Sequence, residues 1–302
     1  MAATTRPAPG SLNTPLEPGS VHDPRADAQA CAAAGQQALH ATAFGRIEAA
    51  VASSCGRQHD TNEDAHTALG RPGRIFVVAD GVGGGAMAQM ASRQLVSNLH
   101  AALDACRPDA QRVRAAMLAA DRAIAQRIAQ VTDAPGAATV ALCAPVNAFA
   151  SKWLVAWVGD CRVYRLAKAG EPSIEMLTRD DTFGGLDELP PAGGSPDDPA
   201  RMVGNGATSG ANVALHELAC GDLMLLCSDG VHKHVDTDDW GRLLRRPVSL
   251  LRCCEDLIAL ARANGSADDA TVLLLRRVGL FMPRLERTEP KAGSIDASRD
   301  FR

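Results

Sequence analysis

The chain has 302 residues, of which 46% are hydrophobic and only 3% aromatic, and its formal net charge is −4. These values predict an aliphatic, alanine-rich core and give no reason to expect nucleic-acid binding. No apolar run reaches the roughly 18 residues of a membrane helix and no signal peptide is recognised, so a cytoplasmic protein without a membrane span is predicted. Nine cysteines without a CxxC pair predict reduced thiols and no zinc site.

The two ends of the chain differ in composition from its centre. Residues 1–44 are rich in Ala, Pro, Gly, Thr and Ser, which predicts a low-complexity and mostly disordered extension, with a short helix around residues 27–43. An ordered domain is predicted over residues 45–280, and its first half-buried strand begins near Arg46. The polar residues 281–302 predict a disordered tail.

A strand followed by a glycine-rich loop and a helix carries the first chemical signal. Residues 76–79 form an apolar run that ends at Asp80-Gly81, and apolar residues recur at helical spacing from Met87 to about residue 106. The glycines also fit a dinucleotide-binding fingerprint, which needs an acidic residue at the end of a second strand about 20 residues on, whereas Asp104 ends a helix. At this point a metal or phosphate site and dinucleotide binding both remain open.

The remaining periodicities predict alternating groups of helices and strands. Three strands with short connections follow a second helix, and they are predicted to be antiparallel neighbours because a parallel pair needs a crossover of about a dozen residues. A loop as long as residues 181–210 is usually functional or mobile. The second helix is predicted over 109–131, the three strands over 139–143, 153–158 and 162–166, further strands over 174–177, 213–218, 223–227 and 271–275, and further helices over 236–244 and 248–263.

Acidic residues recur where predicted strands begin or end. One of them alone is more typical of a turn, but several gathered at one edge of the sheets would repel each other and lose hydration. A divalent cation removes that repulsion, and ligation by oxygen alone favours magnesium or manganese over zinc. Asp80, Asp160 and Asp229 end predicted strands, and Asp268 and Asp269 begin one. Glu63 and Asp64 lie in a loop just before the strand that Asp80 ends.

Seven short motifs follow one another in the ordered part of the chain. They are Asn62-Glu63-Asp64-Ala65, Asp80-Gly81-Val82-Gly83-Gly84, Gly136-Ala137-Ala138-Thr139-Val140, Val158-Gly159-Asp160-Cys161-Arg162-Val163-Tyr164, Leu177-Thr178-Arg179-Asp180, Leu226-Cys227-Ser228-Asp229-Gly230 and Asp268-Asp269-Ala270-Thr271-Val272. In this order and at this spacing they resemble the metal-dependent protein serine/threonine phosphatases, the protein phosphatase 2C family, in its bacterial form. The two tails lie outside the resemblance.

The resemblance implies an α+β fold, a four-layer α-β-β-α sandwich with two central antiparallel sheets flanked by helices. It also implies a phosphoprotein phosphatase that hydrolyses phosphoserine and phosphothreonine by attack of a dimetal-bridging hydroxide. The cofactors would be two Mn²⁺ or Mg²⁺ ions and a third, weaker one. Such an enzyme would reverse a bacterial Ser/Thr kinase, so phosphorylated proteins and a cognate kinase are the expected partners, and a monomer is expected.

The resemblance also assigns roles to individual residues. Asp80 would bridge two metal ions and the carbonyl of Gly81 would bind one of them, while Asp229 and Asp268 would complete the second site. Asp160 would bind the third ion together with Asp229. Glu63 and Asp64 would hold metal-bound waters, and residues 181–210 would correspond to the flap beside the site.

Some positions depart from the family pattern. An Arg that binds phosphate is frequent three or four residues before the Glu-Asp pair, where this chain has His59 or Asp60, so Arg57 or His59 is predicted to bind phosphate. Val82 occupies a position where some relatives have His as an acid, which leaves His59 or a metal-bound water for that role. Since no phospho-enzyme is needed, Cys55 and Cys227 are predicted to be non-nucleophilic.

Two other functions compete with an active phosphatase. One is a catalytically silent regulatory module that recognises phosphoproteins through the same fold, which the unusual region around Arg57 and His59 favours. The other is a dinucleotide-binding oxidoreductase, which only the glycine-rich loop after Asp80 favours. The sequence does not distinguish among possible phosphoprotein substrates.

Overall fold

In the computed structural model, residues 34–70, 73–168, 173–206, 208 and 210–279 are described. They form eleven strands and five helices. The strands are β1 (Ala34–Thr42), β2 (Gly45–Ser54), β3 (Ala65–His66), β4 (Phe76–Val82), β5 (Ala137–Pro145), β6 (Lys152–Val158), β7 (Arg162–Leu166), β8 (Ile174–Met176), β9 (Asn212–Glu217), β10 (Leu223–Cys227) and β11 (Ala270–Gly279). The helices are α1 (Ala86–Leu103), α2 (Ala110–Ala129), α3 (Asp229–His232), α4 (Thr237–Leu244) and α5 (Leu250–Ala263).

The strands form two separate sheets. One sheet has the order β1-β2-β11-β10-β7-β8 and the other has the order β3-β4-β5-β6-β9. Every pair of neighbouring strands in both sheets is antiparallel. The predicted α+β architecture is therefore confirmed. A dinucleotide-binding βαβ unit needs parallel strands, so the pairing of β4 with β5 argues against that alternative.

Alternation along the strands builds a layered core. In β4, Val77 packs against the helices α1 and α2, whereas the next residue, Val78, packs between the two sheets. Residues from both sheets, including Val51 and Trp153, fill this central layer. Helices α4 and α5 cover the outer face of the six-stranded sheet. Successive side chains of a strand point to opposite faces of its sheet. Each sheet is covered by the other sheet on one face and by helices on the opposite face, so its strands are almost continuously apolar.

The beginning of the described chain differs from the sequence-based expectation. A helix was expected around residues 27–43, but Ala34–Thr42 forms β1, which pairs with β2 in full register. Only alternate residues of β1 are partly buried; Ala38 packs on the core between the sheets, and the ring of His40 lies edge-on to Phe76 of that core. So weak an apolar pattern does not distinguish an edge strand from a linker. Residues 1–33 and 280–302 lie outside the described part of the chain.

The connection from β6 to β7 also differs from the expectation. The prediction that β5, β6 and β7 are antiparallel neighbours holds for β5 and β6, but β7 pairs with β10 and β8 in the other sheet. The chain crosses between the sheets at Gly159, whose φ of 91° is open to glycine and strained for other residues. A short connection between strands can therefore join facing sheets, and here it carries Asp160 across the gap.

Among the described residues, no helix is long and apolar enough to span a membrane.

Candidate metal centre

Antiparallel pairing brings the acidic loops of the six-stranded sheet together. Cys227 at the end of β10 lies opposite Arg162 at the start of β7 and opposite Val272 near the start of β11. The residues just beyond these positions are Asp229, Asp160 and the pair Asp268-Asp269, so three acidic segments meet at one edge. From the facing sheet, Asp80 on β4 and Asp64 before β3 complete the cluster, and Asp80 interacts electrostatically with Asp229, Asp64 and Asp160.

Burial and mutual repulsion make these carboxylates difficult to ionise. Burial, reinforced by repulsion from Asp229 and other acids, raises the pKa of Asp80 well above its ordinary value. For the same reasons the pKa of Asp64 rises to about 8 and that of Asp160 to about 7. A positive charge placed among them would stabilise the ionised forms.

Unpaired oxygen atoms point to a cation at this cluster. Oδ1 of Asp64 and Oδ1 of Asp229 are buried and have no hydrogen-bond partner among the described residues. Buried carboxylate oxygens of native proteins are normally satisfied by hydrogen bonds or metal ions. Because the donors are oxygen atoms, the cluster fits manganese or magnesium.

Glu63 and Gly81 are positioned by close backbone packing. The buried Glu63 carboxylate accepts a hydrogen bond from the backbone N–H of Gly85 over 2.5 Å, at the start of α1. A Cβ on Gly81 would lie 2.5 Å from the carbonyl oxygen of Ala88 and 2.9 Å from that of Glu63. Only glycine fits this contact, which holds the Gly81 backbone beside the Asp80 carboxylate.

The neighbouring acids Asp268 and Asp269 have different environments. Asp269 is buried, and its carboxylate accepts hydrogen bonds from the backbone N–H groups of Gly56 and Glu63, each over 2.7 Å, and contacts His59 Nδ1 over 3.0 Å. The carboxylate of Asp268 is 41% exposed. His59, Asp268 and Asp269 have potential ligand atoms within 4.8 Å of one another. Because Asp269 is already satisfied by the protein, Asp268 is the better candidate for metal ligation.

Arg262 of α5 fixes the loops that carry these acids. Its guanidinium donates to the carbonyls of Ser54 and Cys55 at the end of β2, to Ser266 and to the carbonyl of Asp268. The Arg262 side chain thus provides hydrogen-bond donors for backbone carbonyls at the end of β2 and in the loop before β11.

A lysine lies beside the two carboxylates to which the resemblance assigns a third metal ion. Nζ of Lys233 lies 2.7 Å from Oδ2 of Asp229 and 3.5 Å from Oδ2 of Asp160. Burial acts to lower the pKa of Lys233, but the charge of Asp229 and then that of Asp160 outweigh it, and the pKa is raised. A protein cation therefore already lies between the two carboxylates.

The two residues expected to bind phosphate lie on the loop beside the cluster. The backbone N–H of Arg57 donates to the carbonyl of Ala267 over 2.7 Å, and the Arg57 side chain is exposed. His59 is partly buried; burial acts to lower its pKa, but the hydrogen bond with Asp269 and the charges of Glu63 and other acids outweigh it, so the pKa is raised. Both side chains can therefore offer positive charge at the edge of the cluster.

Of the two cysteines near the cluster, Cys227 lacks the environment of an activated nucleophile. Cys227 is fully buried, and this burial raises the pKa of its thiol well above the ordinary value. Cys55 is partly buried and contacts the carbonyl of His59. A reactive thiol needs a lowered pKa and access to solvent, so Cys227 agrees with the expectation of a non-nucleophilic role.

The described residues of the 181–210 loop are irregular in structure but firmly attached. The buried carboxylate of Asp181 accepts hydrogen bonds from the side chain of Asn212 over 2.9 and 3.0 Å, and its backbone carbonyl accepts from the N–H of Ala200. Asp121 of α2 accepts from the N–H of Gly204 over 2.7 Å. These contacts hold the first half of the loop against β9 and the second half against α2.

Comparison with known proteins identifies the family of the chain. A family model described as stage II sporulation protein E (SpoIIE) matches residues 72–278, more than half of the chain. The chain belongs to this family. Together with the relatives described below, the SpoIIE match confirms the resemblance to the protein phosphatase 2C family.

Curated relatives and solved structures agree with this placement. The serine/threonine protein phosphatase PstP of Mycobacterium tuberculosis is 32% identical over 237 residues, and the match covers 74% of this chain and 44% of the relative. The chain thus spans less than half the length of these curated relatives. The crystal structure of PstP/Ppp from M. tuberculosis has a TM-score of 0.66 at 25% identity and covers 77% of this chain and 99% of its own. The PstP catalytic domain in complex with two manganese ions has a TM-score of 0.64 at 26% identity, over 77% of this chain and 98% of its own.

Within this SpoIIE-family fold, sequence reasoning missed three residues that organise the centre. Ser228 donates to Asp64, Lys233 pairs with Asp229, and Arg262 binds the loop carbonyls. A signal existed only for Lys233, which follows Asp229 by four residues, the spacing of neighbours on a helix. Ser228 and Arg262 act between segments that lie far apart in the sequence.

Proposed function

We propose that this chain is a manganese- or magnesium-dependent phosphoprotein phosphatase that hydrolyses phosphoserine and phosphothreonine. The observation that carries the proposal is the buried cluster of carboxylates contributed by both sheets, in which oxygen atoms of Asp64 and Asp229 lack hydrogen-bond partners. The match to PstP, named a serine/threonine protein phosphatase, supports the same activity.

The metal ligands in this proposal are the carboxylates of Asp80, Asp229 and Asp268 and the carbonyl of Gly81. Two divalent cations bound there would acidify a water for attack on phosphorus and offset the charge of the phosphoryl oxygens. Glu63 and Asp64 would act next to these ligands. Asp64 is oriented by the Ser228 hydroxyl, and Glu63 by the Gly85 N–H.

Arg57 and His59 are proposed to bind the substrate phosphate. The exposed guanidinium of Arg57 can donate two parallel hydrogen bonds to phosphate oxygens. The contact of His59 Nδ1 with Asp269 favours a protonated ring, which can hold the phosphate or donate a proton to the departing serine or threonine oxygen. Residues 181–210 would form the flap that affects substrate choice.

The substrate class follows from the proposed chemistry. A phosphatase acting on phosphoserine and phosphothreonine needs a Ser/Thr kinase to supply its substrates, so a cognate kinase and its target proteins are the proposed partners. The chain is proposed to act in the cytoplasm as a monomer. An ordered catalytic domain over residues 45–280, extended to include β1, remains the proposed domain organisation.

Hydrolysis of a phosphothreonine peptide by the full chain tests the proposal. Turnover is measured with Mn²⁺, with Mg²⁺ and with a chelator, for the native protein and for Asp80→Asn and Asp229→Asn. Loss of more than about a hundredfold is expected in either variant, since even the residues that support metal ligands account for about 10–100-fold. Asp133→Asn, in an exposed loop between α2 and β5, is the matched control and should retain activity.

Two outcomes would contradict the proposal. Full activity of Asp80→Asn or Asp229→Asn would disprove the metal-carboxylate mechanism. A folded native chain that binds manganese and phosphopeptide without turnover would instead be the silent regulatory module, which the present findings do not favour.

A further inference from the structure

Lys233 follows the short helix α3, which begins at the candidate metal ligand Asp229. Residues four apart on a helical turn lie on the same face, so the Lys233 side chain extends back over Asp229. Its Nζ is 2.7 Å from Oδ2 of Asp229 and reaches on toward Asp160, whose Oδ2 is 3.5 Å away. Asp160 comes from the connection between the sheets, so the lysine joins two acidic segments.

A cation shared by Asp160 and Asp229 would bind these same carboxylates, and one oxygen of each already pairs with Lys233. The ammonium of Lys233 already occupies the space between them, and it is a single positive charge with three N–H donors. A divalent ion could bind there only after displacing the lysine and breaking both ion pairs. The residues present therefore do not fit a third metal ion at Asp160.

We propose that Lys233 replaces the third metal ion as a built-in cation, so that the protein binds two divalent ions and holds Asp160 and Asp229 with its own ammonium group. The proposal rests on the metal centre of the proposed function. Lys233 is a positioning residue in this scheme, since it acts through Asp229.

The charges around the lysine agree with this role. The side chain of Asp229 is only 17% exposed, and the ammonium of Lys233 lies 2.7 Å from its Oδ2. Asp160 is only 3% exposed and otherwise lies near further acids, Asp229 and Asp180. Without the ammonium, the two carboxylates would face each other at close range and would attract an external cation.

The number of bound metal ions tests the proposal directly. The full chain is dialysed to equilibrium against excess Mn²⁺, and the bound manganese is measured by metal analysis. Two ions per chain are expected for the native protein, and three for Lys233→Gln, which removes the charge and leaves a polar side chain one heavy atom shorter. The double variant Lys233→Gln/Asp160→Asn should return to two, because it lacks the carboxylate that the third ion needs.

Two controls separate charge from folding. Lys233→Arg keeps a positive charge and should bind two ions, and Lys152→Gln, at an exposed position at the start of β6, should also bind two. Thermal unfolding of each variant confirms that it is folded. If Lys233→Gln does not fold, Lys233→Met provides the same loss of charge.

Three results would overturn the inference. Three ions bound by the native protein, or two bound by both native protein and Lys233→Gln, would show that Lys233 does not replace a metal ion. Either result would leave the two-metal phosphatase intact. Absence of manganese binding in every form would instead disprove the metal centre on which both proposals depend.

Discussion

The hydroxyl of Ser228 donates a hydrogen bond to Oδ2 of Asp64 over 2.7 Å, which links the two facing sheets at the candidate metal centre. The same hydroxyl accepts a hydrogen bond from the backbone N–H of Thr271 over 3.0 Å. Ser228 is fully buried, and Asp64 is only 5% exposed. The Ser228 side chain therefore links the Asp64 carboxylate, next to the five-stranded sheet, to the Thr271 backbone of the six-stranded sheet.

Removing this hydroxyl should affect both the metal centre and the fold. In Ser228→Ala, the Asp64 carboxylate and the Thr271 N–H lose a buried partner, which costs about 1–3 kcal/mol for an unsatisfied group. The affinity for Mn²⁺ should fall about 10–100-fold, as for other residues that orient metal-bound groups. Urea unfolding and Mn²⁺ titration measure the two effects. Ser97→Ala, at an exposed position in α1, should change neither, and unchanged Mn²⁺ affinity in Ser228→Ala would contradict the role of this contact.

The metal-free protein should lose stability as the pH rises from 6.5 to 8. Asp64 and Asp160 have ordinary pKa values of 3.8 that rise to about 8 and about 7 in the folded chain. The folded state therefore binds more protons than the unfolded state across this window, and its free energy of unfolding falls with increasing pH. Below pH 6.5 the effect is opposed by His232, whose pKa is lowered by burial to about 4.

Urea unfolding in the presence of a chelator measures this pH dependence. Saturating Mn²⁺ should flatten it, because the cations stabilise the ionised carboxylates. Asp64→Asn should reduce the slope in the chelator, since it removes the group with the pKa of about 8. A stability that is constant or rises over this range without metal would contradict the assigned pKa shifts.

The sequence predicted most elements because their patterns are local. Helix α1 and strands β4 and β10 are long apolar patterns with clear ends, and the acidic residues next to the strands can be identified from the sequence alone. Placement in a sheet is not local. The turn at Gly159 sends β7 to the opposite sheet, and only the pairing of β7 with β10 shows that this occurs.

The acidic residues of the candidate site could be predicted from the sequence, but the hydrogen bonds and ion pairs that they form could not. Asp80, Asp160 and Asp229 end apolar segments, so their positions at a sheet edge follow from periodicity. The ion pair between Asp160 and Lys233 could not be predicted in this way. The two residues lie far apart in the sequence, and their contact depends on the orientation of α3 relative to β10. The weakly apolar strand β1 shows the same limit, since its order derives from pairing with β2.

Arg262 should stabilise the loops more than its neighbours on the same helix. In Arg262→Met, the carbonyls of Ser54, Cys55 and Asp268 lose a charged donor. Hydrogen bonds to charged groups contribute about 1.5–3 kcal/mol, so we expect a loss of at least about 2 kcal/mol in the free energy of unfolding and weaker Mn²⁺ binding. Arg252→Met, exposed on the same helix, is the matched control. Equal stabilities of the two variants would contradict the role of Arg262 in holding these loops together.

Gly230 should not tolerate a side chain. A Cβ at this position would overlap the backbone carbonyl of Asp269, and it would lie 3.4 Å from the Cβ of Asp268. Gly230→Ala must therefore move either α3 or the loop that carries both acids, and overpacking of this kind costs about 1–3 kcal/mol or more. Differential scanning calorimetry should show a lower Tm than for Gly70→Ala, where nothing lies within 4 Å of the added atom. Matching Tm values would show that this loop can move without cost.

Arg57 should contribute to substrate binding without contributing to metal binding. Its backbone is fixed by the hydrogen bond to Ala267, next to the candidate ligand Asp268, while its side chain is exposed. Losing a charged hydrogen bond to phosphate costs about 1.5–3 kcal/mol, so Arg57→Ala should reduce kcat/KM for a phosphothreonine peptide about 10–100-fold. The number of bound Mn²⁺ ions should not change. Arg112→Ala, on the exposed side of α2, should keep the native kcat/KM, and an Arg57→Ala variant with that same value would assign phosphate binding to His59 or another residue.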